Sequence, residues 1–201
     1  WPTLYKNLKH FRMTGGEPMM DNNTYKVFQY VIDNPKQDLH LNVTSNMCPP
    51  NNKLKNKYFD MVKKICIEEK IEHFMQFVSV DAWGKQAEYI RDGLDYTDWF
   101  GNVLNMMADH IPSEIHNMAT INALCLESFP EFLERIVWFK SAKKIYGVSM
   151  NFTLNILRFP SFQSALVLPD DLRNMFKQNL EKFLRQNGSL LEEMEINQVQ
   201  R

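Results

Sequence analysis

The chain has 201 residues, 44% of them hydrophobic, which suits one globular domain with a sizeable core. Its 23 Lys and Arg meet 24 Asp and Glu, a formal net charge of −1 with no basic run, which argues against nucleic acid as a partner. Cys48, Cys66 and Cys125 are odd in number and far apart, fitting neither a disulfide framework nor a CxxC metal pair, so a reducing cytoplasm is the expected location.

The chain opens on WPTLYKNLKH without an initiator Met, and part of a longer protein is the expectation. Leu8 to Met13 reads as a first strand, ended by Thr14-Gly15-Gly16-Glu17-Pro18. Tyr25, Val27, Phe28, Val31 and Ile32 then recur at helical spacing until Asn34-Pro35 stops the helix. DLHLNVT, residues 38–44, alternates as a strand, and after Pro49-Pro50 a helix carries Leu54, Tyr58, Met61, Val62 and Ile65 on one face. FMQFVSV, residues 74–80, is a nearly continuous apolar strand, followed over 87–110 by a helix broken around Gly93 and Gly101. NMATINALCL, residues 117–126, reads as a fourth strand, and Phe129, Phe132, Leu133, Ile136 and Val137 stripe the next helix. VSMNFTLNIL, residues 148–157, is the last strand, ending before Phe159-Pro160. A charged helix over 170–185 follows, and the remaining residues 189–201 either start another helix or fray.

Strand and helix alternate with short connections, which predicts consecutive parallel βαβ units in an α/β sheet curling toward a barrel. Too few strands are present for a closed eight-stranded barrel, so an open or partial one is expected. No apolar span is long enough to cross a bilayer, and no membrane partner is expected. Asn-x-Ser/Thr triplets at Asn22, Asn42, Asn151 and Asn187 are set aside, because two fall in strands and no signal peptide is present.

In parallel α/β architectures ligands bind beyond the carboxyl ends of the strands. Thr14 to Pro18, Thr44-Ser45-Asn46 and Ser79-Val80-Asp81 end three successive strands, so a parallel sheet brings them to one rim. Small hydroxyls, an amide and carboxylates suit a polar ligand with ribose-like hydroxyls and a charged amino group. Glycine at 15 and 16 lets backbone groups approach that ligand closely. Each group also has a plainer role: the glycines could serve to turn, Thr44, Ser45 and Asn46 to cap or turn, and Asp81 to cap the next helix.

FRMTGGEPMM, LNVTSNM and FVSVDAWGKQAEYIRDG, taken in that order on successive βα units, resemble motifs of the radical S-adenosylmethionine (radical SAM) superfamily. The resemblance is closest to members with a short "twitch" C-terminal region and covers roughly residues 5 to 170. TINALCL and LRFPSF fit the family's next strands less diagnostically.

The resemblance implies a parallel open or partial (β/α)6 TIM-like barrel over residues 1–168, missing its first strand, with a C-terminal helical extension over 169–201. It implies S-adenosylmethionine (SAM) as ligand, cleaved reductively by a 4Fe-4S cluster to a 5′-deoxyadenosyl radical that abstracts hydrogen from a substrate. The substrate is unknown, with peptides among the candidates because many relatives modify them.

By the same resemblance Gly15, Gly16 and Glu17 meet the methionyl amino group largely through backbone, with Pro18 shaping the turn. Thr44, Ser45 and Asn46 line the methionyl side, Ser79 and Asp81 the ribose region. Arg91 takes the carboxylate end, and Glu88 one turn earlier orients it; an ordinary surface pair is the other reading of Glu88 and Arg91. The family's CxxxCxxC loop is absent, and its place is just upstream of this chain. A truncated fragment, holding neither metal ligands nor catalytic residues of its own and inactive by itself, is therefore expected. The competing expectation is a non-catalytic α/β module that binds a nucleotide or a protein partner at the same rim.

Other residues carry less. His10, His40, His73, His110 and His116 show no HxxH or HExxH spacing, so a zinc site is not expected. The 12 methionines read as core filler, Cys48 as a small semi-buried residue near the rim and Cys125 as strand packing.

Overall fold

Alternation along Leu39 to Ser45 decides which face of the second strand is covered: Leu39, Leu41, Val43 and Ser45 are buried, whereas His40, Asn42 and Thr44 are only partly so. The same alternation runs through the other strands of the computed structural model, which describes residues 1–109 and 111–200. The strands are β1 (His10–Met13), β2 (Lys36–Ser45), β3 (Ile71–Val78), β4 (Glu114–Ile121) and β5 (Ser149–Ile156). They form one five-stranded sheet in sequential order, and every neighbouring pair is parallel.

A parallel sheet in sequential order with right-handed crossovers places every connecting helix on the same face. The helices are α1 (Pro2–Asn7), α2 (Asn22–Asp33), α3 (Asn52–Ile67), α4 (Gly84–Ile90), α5 (Tyr96–Ala108), α6 (Phe129–Tyr146), α7 (Asp170–Asn187) and α8 (Glu193–Gln200). Asp21 caps α2 by accepting the Asn23 amide at 2.8 Å, and Asn51 caps α3 by accepting that of Leu54 at 3.0 Å. The stripe foreseen on α6 is buried at Phe129, Phe132, Leu133, Ile136 and Val137, and that on α2 at Tyr25, Phe28, Val31 and Ile32, whereas Val27 is only partly covered. One buried polar chain crosses these layers, with Tyr58 Oη donating to Gln76 Oε1 at 2.6 Å and Gln76 Nε2 donating to the Val43 carbonyl at 3.0 Å.

The result is an α/β open parallel sheet compatible with a partial barrel. The two edges of the sheet differ. At β5, Glu195 of α8 accepts the Phe152 amide at 3.2 Å and Gln198 accepts the Leu154 amide at 2.5 Å, so the helix satisfies donors that a further strand would take. Lys140 of α6 neutralises that carboxylate at 2.9 Å, and Glu195 is fully buried. At the opposite edge β1 pairs with β2 alone. A cavity of about 250 Å³ lies along it, bordered by Arg12, Thr14, Gly15, Pro18, Asn23 and Val27.

Several expectations change. β4 spans Glu114–Ile121, not 117–126, because Asn122 breaks the ladder: its Oδ1 accepts the Leu124 amide at 2.9 Å, an Asx-type turn. Cys125 therefore packs in the turn after β4, where its buried thiol donates to the Asn122 carbonyl at 3.2 Å. The helix predicted over 87–110 is two, divided at Arg91 to Asp95 around Gly93, whereas Gly101 sits inside an uninterrupted α5. β3 begins at Ile71 and ends at Val78, so Ser79 and Asp81 lie just past the strand. The C-terminal residues do form a helix, α8, and α1 was not foreseen. His110, weighed above as a metal ligand, lies outside the described residues.

Candidate functional site

The loop after β1 takes its shape from backbone conformation. Gly15 has φ +88° and Gly16 φ +56°, in the left-handed region that L side chains rarely adopt. A Cβ at either position would meet nothing within 4 Å, so conformation and not crowding requires glycine, and the space before both is open.

Glu17 then turns inward. Its Oε1 accepts Ser45 Oγ at 2.6 Å and the Met19 amide at 3.1 Å, and its Oε2 accepts the Asn46 amide at 2.9 Å. The loops following β1 and β2 are thereby one unit, with Ser45 and Asn46 held from behind by the carboxylate. Tyr25 Oη donates to the Met19 carbonyl and fastens the same unit to α2. Pro18 is buried beneath it. With its carboxylate committed and its carbonyl accepting the Met20 amide at 2.9 Å, Glu17 has its N–H left for a ligand.

The rim continues at β3. Arg91 donates from Nε to Asp81 Oδ2 at 2.8 Å and from Nη2 to Ser79 Oγ at 2.8 Å. Asp81 Oδ1 accepts the Thr120 amide at 2.7 Å, which ties the loop after β3 to the end of β4. Asp81 is buried and so braces the rim; it caps no helix, since Trp83 precedes α4 without a side-chain cap. Ser79 accepts from Arg91 and keeps its hydroxyl proton to donate.

Glu88 does not orient Arg91. It accepts Lys85 Nζ at 2.6 Å and the Tyr96 amide at 3.1 Å, and the first of these contacts is the main reason its pKa falls below the usual carboxylate value. The role foreseen for Glu88 belongs to Asp81, which the short α4 and the Gly93 turn bring within reach of the guanidinium.

Thr44 belongs to the open face of the sheet, where its Oγ1 accepts Arg12 Nη2 at 3.2 Å. Arg12, which the sequence reading passed over, extends across the strands, 4.1 Å above the Phe77 ring and 3.2 Å from Met118 Sδ. The alternation that puts Thr44 on this face puts Arg12 there as well, and that was the available signal.

Cys48 reaches the rim, but burial pushes its thiol up to about 11 and it donates to the Asp95 carbonyl at 3.3 Å, which suits an inert thiol. Burial likewise raises Cys66 to about 12 and Cys125 to about 11. Among the described residues no cluster of three His, Cys, Asp or Glu could hold a metal ion. These side chains do not fit an iron–sulfur cluster. What the rim leaves open to a ligand is main chain at the diglycine, a hydroxyl at Ser79 and Arg91 beside it.

No protein-family model matches the chain, nor does any curated protein or solved structure. Among the described residues no helix is long and apolar enough to cross a membrane.

Proposed function

We propose that this chain is the SAM-binding part of a radical SAM enzyme, a (β/α)6-type barrel whose cluster ligands come from outside the sequence in hand. The observation that carries the reading is the junction made by Glu17, which joins the diglycine loop to Ser45 and Asn46 on one rim of an all-parallel sheet. Gly15 and Gly16 offer main-chain groups to the methionyl amino group, Thr44, Ser45 and Asn46 bound the methionyl side, and Ser79 donates to the ribose, with Asp81 holding Arg91 toward the carboxylate. A 4Fe-4S cluster, for which the described residues hold no ligand set, would supply the reductive cleavage of SAM that yields a hydrogen-abstracting radical. The chain's own work in that chemistry is to bind and orient the ligand.

Equilibrium dialysis with labelled SAM tests the binding, and anaerobic reconstitution of the longer protein with iron and sulfide tests the activity. Saturable binding by this chain, lost in Gly16→Val and kept in Glu88→Gln, supports the reading. Absence of SAM binding in both this chain and the reconstituted longer protein overturns it. Nucleotide binding in its place favours a non-catalytic module.

A further inference from the structure

The open face of the sheet carries a cation with no anion. Arg12 enters none of the ion pairs among the described residues, and the partners it touches are neutral: a hydroxyl, a thioether and an aromatic face. Two carboxylates of the rim are already committed, Glu17 to Ser45 and two amides, Asp81 to Arg91 and the Thr120 amide. A guanidinium has five N–H donors in a fixed fork. Among the described residues Nη2 alone is engaged, by a hydroxyl at 3.2 Å and a sulfur at 3.2 Å, and both are weaker acceptors than an oxyanion.

A second observation stands beside it. Asn42, the register partner of Arg12 on β2, has a buried side-chain oxygen with no hydrogen-bond partner. A buried amide oxygen left without a donor is destabilising, so it is a position where a ligand N–H or O–H gains. Charge and orphaned acceptor thus lie on neighbouring strands of one face, just below the rim proposed for SAM.

We propose that Arg12 is the anion-binding residue of a substrate subsite on this face, taking the carboxylate or phosphate of a substrate whose adjacent N–H or O–H donates to Asn42. The word substrate rests on the SAM reading; the anion site does not. It predicts an acidic substrate, such as a peptide with an acidic side chain or free carboxyl terminus, and disfavours a neutral one.

The experiment uses the chain as it stands, with arginine side chains labelled with ¹⁵N and the Arg12 Nε–H signal assigned by its loss in Arg12→Gln. Inorganic phosphate and acetate are titrated separately into wild type, Arg12→Gln and Arg12→Lys, with thermal melting as the check on folding. Expected are a saturable shift of the Arg12 signal, at least tenfold weaker phosphate binding in Arg12→Gln, and partial retention in Arg12→Lys, which keeps the charge and loses the fork. Equal phosphate affinity in wild type and a folded Arg12→Gln overturns the proposal. So does an Arg12→Gln chain that loses SAM affinity but keeps that for 5′-deoxyadenosine, since Arg12 would then hold the methionyl carboxylate. If wild type binds phosphate at Arg12 while neither this chain nor the reconstituted longer protein binds SAM, the anion site stands and the SAM reading falls.

Discussion

The carboxylate of Glu17 accepts the hydroxyl of Ser45 at 2.6 Å across 28 residues of sequence, and Ser45 is 2% exposed. Two loops that end neighbouring strands are therefore locked to each other before any ligand arrives. Ser45→Ala removes one donor from a partly buried carboxylate and is expected to cost about 1–3 kcal/mol. Glu17→Ala removes the junction and should cost more, with weaker SAM binding as Gly15 and Gly16 lose their fixed position. Urea denaturation and equilibrium dialysis on the same samples measure both effects; a Glu17→Ala chain that unfolds and binds like wild type would contradict the junction's role.

At Gly16 stability and binding come apart. The φ of +56° makes a side chain there strained by roughly 1–2 kcal/mol, while nothing stands within 4 Å of a new Cβ. Gly16→Val is accordingly expected to lose a modest amount of stability and at least tenfold in SAM affinity, because the branched side chain fills the open space before the loop. Equal losses in the two measurements would mark the diglycine as a turn and nothing more.

Three imidazoles lie in a tilted row across the open face, His10 to His40 with ring centroids 4.7 Å apart and His40 to His73 at 5.4 Å. Burial first, and then the charge of His40, lower the pKa of His73 below its ordinary 6.5, against opposing pulls from Glu114 and Glu72. His40 itself faces Glu72 at 3.2 Å. A histidine with a depressed folded pKa binds its proton more readily in the unfolded chain, so stability falls as pH drops from about 6.5 toward the folded value and is level below it. Glu114, whose pKa is lowered chiefly by the imidazole of His116 3.7 Å away, adds a separate loss at more acid pH, as the medium falls from the ordinary 4.5 through its folded value. Urea midpoints at pH 7.5 and 5.5 should therefore separate for wild type and separate less for His73→Gln; the same separation in both would remove His73 from the account.

The β5 edge depends on one fully buried carboxylate. Glu195→Ala strips partners from Lys140 and from the Phe152 and Glu192 amides, and the loss is expected to be about 3–5 kcal/mol. Denaturant unfolding gives the number, and size-exclusion chromatography at rising concentration should show self-association through the uncovered edge. A variant as stable and monomeric as wild type would mean that α8 is dispensable.

Much of the fold was legible because burial writes itself into period. Leu39, Leu41 and Val43 alternate since one face of β2 meets helices, and Phe132, Ile136 and Phe129 recur at helical spacing since α6 meets the sheet. Strand limits were less legible where a polar side chain ended the ladder, as Asn122 does for β4. In the rim, the residue types at 14–18, 44–46 and 79–81 could be gathered from the parallel order alone.

Chain order and side-chain chemistry by themselves determined the α/β alternation, the shared rim and the positions where glycine is needed, because these follow from local period and backbone sterics. Tertiary structure alone decided which partners the charged groups choose: Asp81 and not Glu88 for Arg91, Ser45 for Glu17, Lys140 for Glu195 and neutral partners for Arg12. The reason is physical. A hydrogen bond is fixed by distances of about 3 Å between groups far apart in sequence, and only the packing of whole strands and helices sets those distances.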